Sequence, residues 1–135
     1  MKSVFVFLLT GHILTCTLAQ SNVSIRRYER DLFSIPIDSL QSGMLAIQPQ
    51  YSCFYNSLDL QDSANLTAMR QYLQDSTVHM LYADVMAQYK TLDWLEKDLG
   101  KMFSRIKSDF PAWKEPSVFT YVSGGDVEFP VKYSD

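Results

Sequence analysis

The feature that most constrains the fold of this chain is an amphipathic helix pattern followed by a strand pattern, within residues 91–125. Apolar side chains recur there at steps of three and four, which places them on one face of a helix. Pro111 ends the pattern, because the residue before a proline is driven away from helical angles. The β-branched and aromatic residues at 118–122 then predict a strand, which a turn at 123–125 closes. The apolar helix face consists of Leu92, Leu95, Leu99, Met102, Phe103, Ile106 and Phe110.

Three shorter patterns upstream predict further helices. Asp38 or Ser39 opens the first helix, and Pro49 ends it. Ser63 is the expected N-cap of the second helix, and Asp75 is that of the third. The third helix and the long helix described above are separated by so few residues that we expect an antiparallel pair or a sharp kink.

Extended segments flank the helices. Residues 22–28 alternate in polarity and predict an extended approach to the first helical region. Val127, Phe129 and Val131 alternate with polar residues, so a second strand is expected to form a C-terminal β-hairpin with the strand at 117–122. Pro130 restricts that strand to a sheet edge. The fold class is therefore α+β and mainly α-helical, with about four helices before a hairpin that looks like an incomplete sheet.

The first 19 residues read as an export signal, with Lys2 before an apolar stretch. Cleavage after Ala19 would release a periplasmic or secreted protein. Cleavage before Cys16 would instead leave a lipidated cysteine that anchors the chain in the cell envelope. Residues 20–135 are expected to form a single domain, which the truncated sheet could leave incomplete.

The charge balance bears on the partners. The net charge is −3 and no basic block is present, which argues against nucleic acid. Cys53 would be the only cysteine left after cleavage at Ala19, so no internal disulfide is expected in that case.

The sequence carries no recognisable catalytic or metal-ligand motif, so we expect no cofactor and no catalytic residue. A metal site needs several converging ligands, and His79 is the only histidine outside the leader. Cys53 and His79 could form a nucleophile and base, but a free cysteine among aromatic residues more often packs. The acids at the start of the long helix stabilise its dipole instead of forming a catalytic dyad. They are Asp93, Glu96 and Asp98.

A charged stretch early in the domain is the candidate interaction site. It is either a solvated rim around Tyr28 and Phe33 or a docking or salt-bridge patch, since arginine binds carboxylates in a fixed fork. Trp113, which lies between two prolines, is expected to be the most exposed aromatic residue and a further contact. The charged residues of the stretch are Arg26, Arg27, Glu29, Arg30 and Asp31.

Two motifs give a family resemblance. Residues 92–124 follow the pattern LxWLEKxLxxxFxxxKxxFPxxxxPxVxTYVSG, and residues 25–35 read IRRYERDLFSI. In this order they resemble the GldB family of gliding-motility lipoproteins of the bacterial envelope. The likeness extends over residues 22–131, and because family members are longer we expect a shortened or truncated chain.

The resemblance implies a non-enzymatic envelope protein whose partners are other motility or envelope proteins. It also implies membrane association through a lipid on Cys16. One alternative is the N-terminal part of a larger protein similar to zinc metallopeptidases, inactive without a downstream HExxH helix. Another is a secreted helical binding module that uses Arg26, Arg27, Arg30, Asp31 and Trp113 as contacts.

Overall fold

A computed structural model describes residues 22–123, and it confirms an α+β fold that is mainly α-helical. Single turns of 3-10 helix at Ile37–Ser39 and Gln48–Gln50 flank the second α-helix. The strands and α-helices, in chain order, are β1 (Ile25–Arg27), α1 (Tyr28–Phe33), α2 (Leu40–Ile47), α3 (Ser52–Tyr55), α4 (Ser63–Gln74), α5 (Ser76–Gln88), α6 (Asp93–Asp109) and β2 (Val118–Thr120).

The two strands pair in parallel, with Ile25 opposite Val118 and Arg27 opposite Thr120. Parallel neighbours need a long crossover, and the six helices between the strands supply it. The strand expected at 117–122 is therefore present as β2, and its partner among the described residues is β1. The hairpin strand expected at 127–131 lies outside the described residues.

Aspartates begin two of the helices. The Asp62 carboxylate accepts a hydrogen bond of 2.8 Å from the Ala64 amide, so the cap of α4 lies one residue before the predicted Ser63. Asp75 caps α5 as predicted, accepting from the amides of Thr77 and Val78. Each aspartate side chain satisfies amide groups that have no partner inside the helix.

The larger core, here called the aromatic cluster, joins α1 to α4. Tyr28 stacks on Phe54 with ring centroids 4.3 Å apart and meets Tyr51 at 5.1 Å. The connection after α1 packs closely on α2, because Gly43 has no side chain at a point that Ile35 fills. The buried members are Tyr28, Leu32, Leu40, Met44, Tyr51, Tyr55, Leu60 and Leu73.

The smaller core, here called the α6 cluster, has three buried residues among those described, which are Val23, Ile25 and Phe103. Leu92, Leu95, Leu99, Ile106, Trp113 and Val118 pack against them at partial burial. Two members of the apolar helix face predicted from the sequence point largely to solvent, since Met102 is 47% and Phe110 65% exposed. The amphipathic pattern located the helix correctly and overstated how much of it is buried.

Candidate functional site

A cleft of about 540 Å³ opens beside β1, here called the β1 cleft. Its walls come from β1, the middle of α1, the segment before α3, the connection between α5 and α6, and the first turn of α6. Four of the five contact residues predicted from the sequence line it, and Trp113 does not. The lining residues are Ile25, Arg26, Arg27, Arg30, Asp31, Gln50, Tyr51, Lys90, Thr91, Leu92, Asp93 and Glu96.

Arg27, which lines the cleft, forms an ion pair with the buried Glu29. Arg27 Nε donates to Glu29 Oε1 at 2.8 Å, and another nitrogen of the same guanidinium donates to the Tyr89 carbonyl at 2.6 Å. The Thr120 hydroxyl lies 2.9 and 3.0 Å from the two Glu29 carboxylate oxygens. Glu29 is 2% exposed, so the solvated-rim interpretation is wrong for it. The salt-bridge interpretation describes Arg27, which ties both strands to the connection after α5.

A second polar contact fixes the wall formed by α1. The buried Tyr51 hydroxyl donates to Asp31 Oδ2 at 2.5 Å. Burial, together with the hydrogen bond to Asp31 and its negative charge, raises the pKa of Tyr51 well above its usual range. Tyr51 therefore stays protonated and Asp31 keeps its donor throughout the ordinary pH range.

Arg26 lies across the mouth of the cleft. One of its guanidinium nitrogens donates to the Gln50 carbonyl at 3.0 Å, and its charge lies 5.7 Å from the centre of the Phe119 ring. This is within the range of a cation–π contact. Arg26 as a whole is exposed, and its guanidinium makes no further hydrogen bond among the described residues.

The charged side chains of the cleft differ in whether they already have a hydrogen-bond partner within the protein. Glu96 accepts a 2.8 Å hydrogen bond from the Ile25 amide, as Asp31 accepts one from Tyr51. The side chains of Arg30 and Lys90 are exposed and make no hydrogen bond or ion pair with any other residue of the part the structure describes. Among these residues the cleft therefore presents two unpaired cations beside Asp31 and Glu96, which each accept a hydrogen bond, and beside the exposed Asp93.

Trp113 packs away from this cleft. Its indole lies 5.3 Å from the Phe103 ring, and the residue is half-buried in the α6 cluster. The expectation that it is the most exposed aromatic residue is wrong, since Trp94 is 58% and Phe110 65% exposed. The segment between the prolines folds back onto α6, which a local reading of the sequence could not anticipate.

The residues weighed for catalysis do not assemble into a site. Cys53 is half-buried in α3, whereas His79 is exposed on α5 with its Nε2 atom 2.6 Å from the Leu73 carbonyl. Lys101 donates a hydrogen bond to Asp98 and lowers the pKa of that carboxyl group. Among residues 22–123, no group of three His, Cys, Asp or Glu side chains could hold a metal ion.

Lys90, Gln50 and Tyr51 belong to the cleft and were missed from the sequence. Lys90 follows the end of α5, where a lone charge is typical of any helix terminus. Tyr51 sits in an aromatic stretch whose helix, α3, was not predicted. None of the three lies near the charged stretch along the chain, so no local pattern could have joined them to it.

These observations define a class, a mainly helical α+β domain whose exposed polar cleft is suited to contact by hydrogen bonds and charge. A family model described as gliding motility protein GldB matches residues 15–135, and the chain belongs to this family of gliding-motility lipoproteins. The resemblance seen in the two motifs is thereby confirmed. No curated protein and no solved structure matches the chain. Within residues 22–123 no helix has the length and apolar character to cross a bilayer.

Proposed function

We propose that this chain is a non-enzymatic, exported envelope protein that docks other motility or envelope proteins through the β1 cleft. Membership of the family supports a role among motility or envelope proteins, because the family description names a motility role and no reaction. The observation that carries the proposal is the pair of exposed cations, Arg30 and Lys90, which have no partner among the described residues.

The other predicted contact residues have supporting parts in this proposal. Arg26 offers its remaining donors at the mouth of the cleft, while Arg27 and Asp31 are held by Glu29 and Tyr51 and shape its walls. A site of this kind needs rigid surroundings, because each side chain ordered on binding costs conformational entropy. The contact role of Trp113 stays a prediction.

Charge reversal tests the docking role. Arg30→Glu combined with Lys90→Glu should abolish co-purification of the host's envelope proteins with the tagged chain, measured by quantitative mass spectrometry after cross-linking in the native host. Arg70→Glu is the matched control, since Arg70 is exposed on α4 and lies outside the cleft lining. Equal recovery with the double variant and the wild type would contradict the proposal, provided that circular dichroism shows both to be folded.

We also propose that a lipid on Cys16 holds the domain at the membrane. The family match begins at residue 15 and so includes Cys16, which supports this choice over cleavage at Ala19. The intact mass of protein from its native host should correspond to a chain that starts at Cys16 and carries acyl groups. A lipid-free mass starting at Gln20 would make the protein periplasmic or secreted instead.

The non-enzymatic part of the proposal has its own test. Elemental analysis of protein purified from the native host should find no stoichiometric zinc, because the proposed action needs only hydrogen bonds and charge. Zinc at about one equivalent per chain, retained through gel filtration as expected of a structural or catalytic site, would contradict the proposal. That result would favour a protein similar to zinc metallopeptidases.

A further inference from the structure

We infer that the ligand of the β1 cleft is an extended acidic segment of a partner protein, bound through its carboxylates. This inference deepens the docking role proposed above and rests on it. The cleft leaves cationic donors available to a ligand, and the partner is therefore a stretch of chain bearing Asp or Glu side chains.

The groups of the cleft that are available to an anion are its cationic donors. An arginine has five N–H donors and a lysine has three, and neither accepts a hydrogen bond. Arg30 and Lys90 use none of theirs on other described residues, and one N–H of Arg26 bonds to the Gln50 carbonyl. A carboxylate is the acceptor that fits a guanidinium fork best, with two parallel hydrogen bonds.

The acidic residues of the cleft do not occupy the donors of Arg30 and Lys90. Asp31 and Glu96 already accept from Tyr51 and from the Ile25 amide. Asp93 is the first residue of α6, where the helix dipole stabilises its negative charge. Attraction of an anion therefore depends on where individual donors lie and not on a net positive charge of the cleft.

The mixed charge favours a peptide over a membrane surface. An anionic bilayer presents a continuous negative plane, which Asp93 and the acids beside it would repel at the same distance at which the cations attract it. A peptide can place single carboxylates against Arg30 and Lys90 and leave the acids facing solvent. The cleft therefore suits separate carboxylates on a flexible chain.

The shape of the surface indicates an extended ligand. A second cavity of about 250 Å³ lies beside the first, and Arg26 lines both. The other residues that line the second cavity are Val23, Ser24 and Glu115–Val118. The two cavities thus follow residues 23–27 along the strand, and Glu115 places the acidic part of the ligand at the β1 cleft end.

Calorimetric titration with a hexaglutamate peptide tests the inference on the full mature chain. Wild-type protein should bind it saturably, and hexaglutamine should not bind. Arg30→Gln and Lys90→Gln should each weaken binding about tenfold, since a hydrogen bond to a charged group contributes roughly 1.5 kcal/mol or more. Arg70→Gln should leave the affinity unchanged, and vesicles of phosphatidylglycerol should bind no better than neutral vesicles.

Three results would overturn the inference. They are no saturable binding of hexaglutamate below about 1 mM, equal binding of hexaglutamine, and equal weakening by Arg70→Gln. Binding to anionic vesicles without binding to hexaglutamate would replace the peptide with a lipid headgroup. If hexaglutamate fails while capture of host proteins still depends on Arg30 and Lys90, the docking role stands and only the acidic ligand falls.

Discussion

The aromatic cluster and the α6 cluster differ in how completely they are buried. Eight buried side chains from four helices and their connections form the first, whereas the second has three buried side chains, backed by half-buried residues. The sequence pattern is nevertheless strongest in the less buried cluster. Helix α6 has the clearest periodicity in the chain and buries only Gly100 and Phe103. A strong amphipathic pattern therefore identifies a helix without measuring how much of its face is covered.

The two clusters meet at the strand pair, and Glu29 is the polar residue placed there. It binds Arg27 of β1 and Thr120 of β2, and its neighbour Tyr28 belongs to the aromatic cluster. Ile25, in the same strand as Arg27, belongs to the α6 cluster. The β1 cleft opens beside this junction, so its geometry depends on both clusters being in place.

The largest expected effect comes from breaking this junction. Glu29→Gln leaves the Arg27 guanidinium buried without its counter-charge, which should lower the free energy of unfolding by about 3–5 kcal/mol in urea denaturation. The matched change Asp98→Asn removes the acid of the exposed pair with Lys101 and should produce no measurable difference. Similar losses in the two variants would show that the buried pair is not what joins the clusters.

The second-largest loss of stability is expected from shortening a side chain of the aromatic cluster. Met44 is 0% exposed, and Met44→Ala should reduce the free energy of unfolding by about 2–5 kcal/mol through lost contacts and a residual cavity. The neighbouring Leu45 is 41% exposed, so Leu45→Ala is the control and should cost far less. If the two substitutions cost the same, the aromatic cluster is not the main core.

The close approach of α2 to Ile35 gives a smaller effect. A methyl group on Gly43 would lie 2.3 Å from Ile35 Cγ2, so Gly43→Ala should destabilise by about 1–3 kcal/mol through overpacking. The same substitution in an Ile35→Ala background should cost much less, because the obstructing atom is gone. An undiminished cost in that background would place the strain elsewhere.

The smallest effect is expected on the exposed side of α6. Trp94 is 58% exposed, and Trp94→Ala should change the free energy of unfolding by no more than about 0.5 kcal/mol. Phe103→Ala on the buried side of the same helix should cost several-fold more. A large loss from Trp94→Ala would mean that the α6 cluster is better covered than its burial indicates.

Much of the helical part of the fold could be predicted, because helix signals are local. The periodicity of α6 and the cap at Asp75 depend on residues a few positions apart, and both predictions are confirmed. The pairing of β1 with β2 could not be predicted, because parallel strands have no turn between them to mark it. The short helix α3 was missed, since four residues carry no helical period.

The candidate site was likewise predictable from the sequence only in part. The charged stretch at residues 26–31 was recognised because arginines and acids are adjacent in the sequence. The sequence did not show which residues of this stretch would be buried and which would be exposed. Glu29 is buried only because Arg27 and Thr120 converge on it, and Thr120 lies 91 residues away along the chain. Lys90 joins Arg30 in the cleft only through the arrangement of α5 and α6.

Photo-cross-linking in the native host tests the central claim most directly. A photoreactive amino acid is placed at position 50 or 91, two exposed positions that line the cleft and leave Arg30 and Lys90 in place, or at the control position 70, and light-dependent adducts are identified by mass spectrometry. The account predicts the same envelope or motility protein attached from positions 50 and 91, with no such adduct from position 70. Adducts from position 70 alone, or none from the two cleft positions, would contradict docking at the β1 cleft.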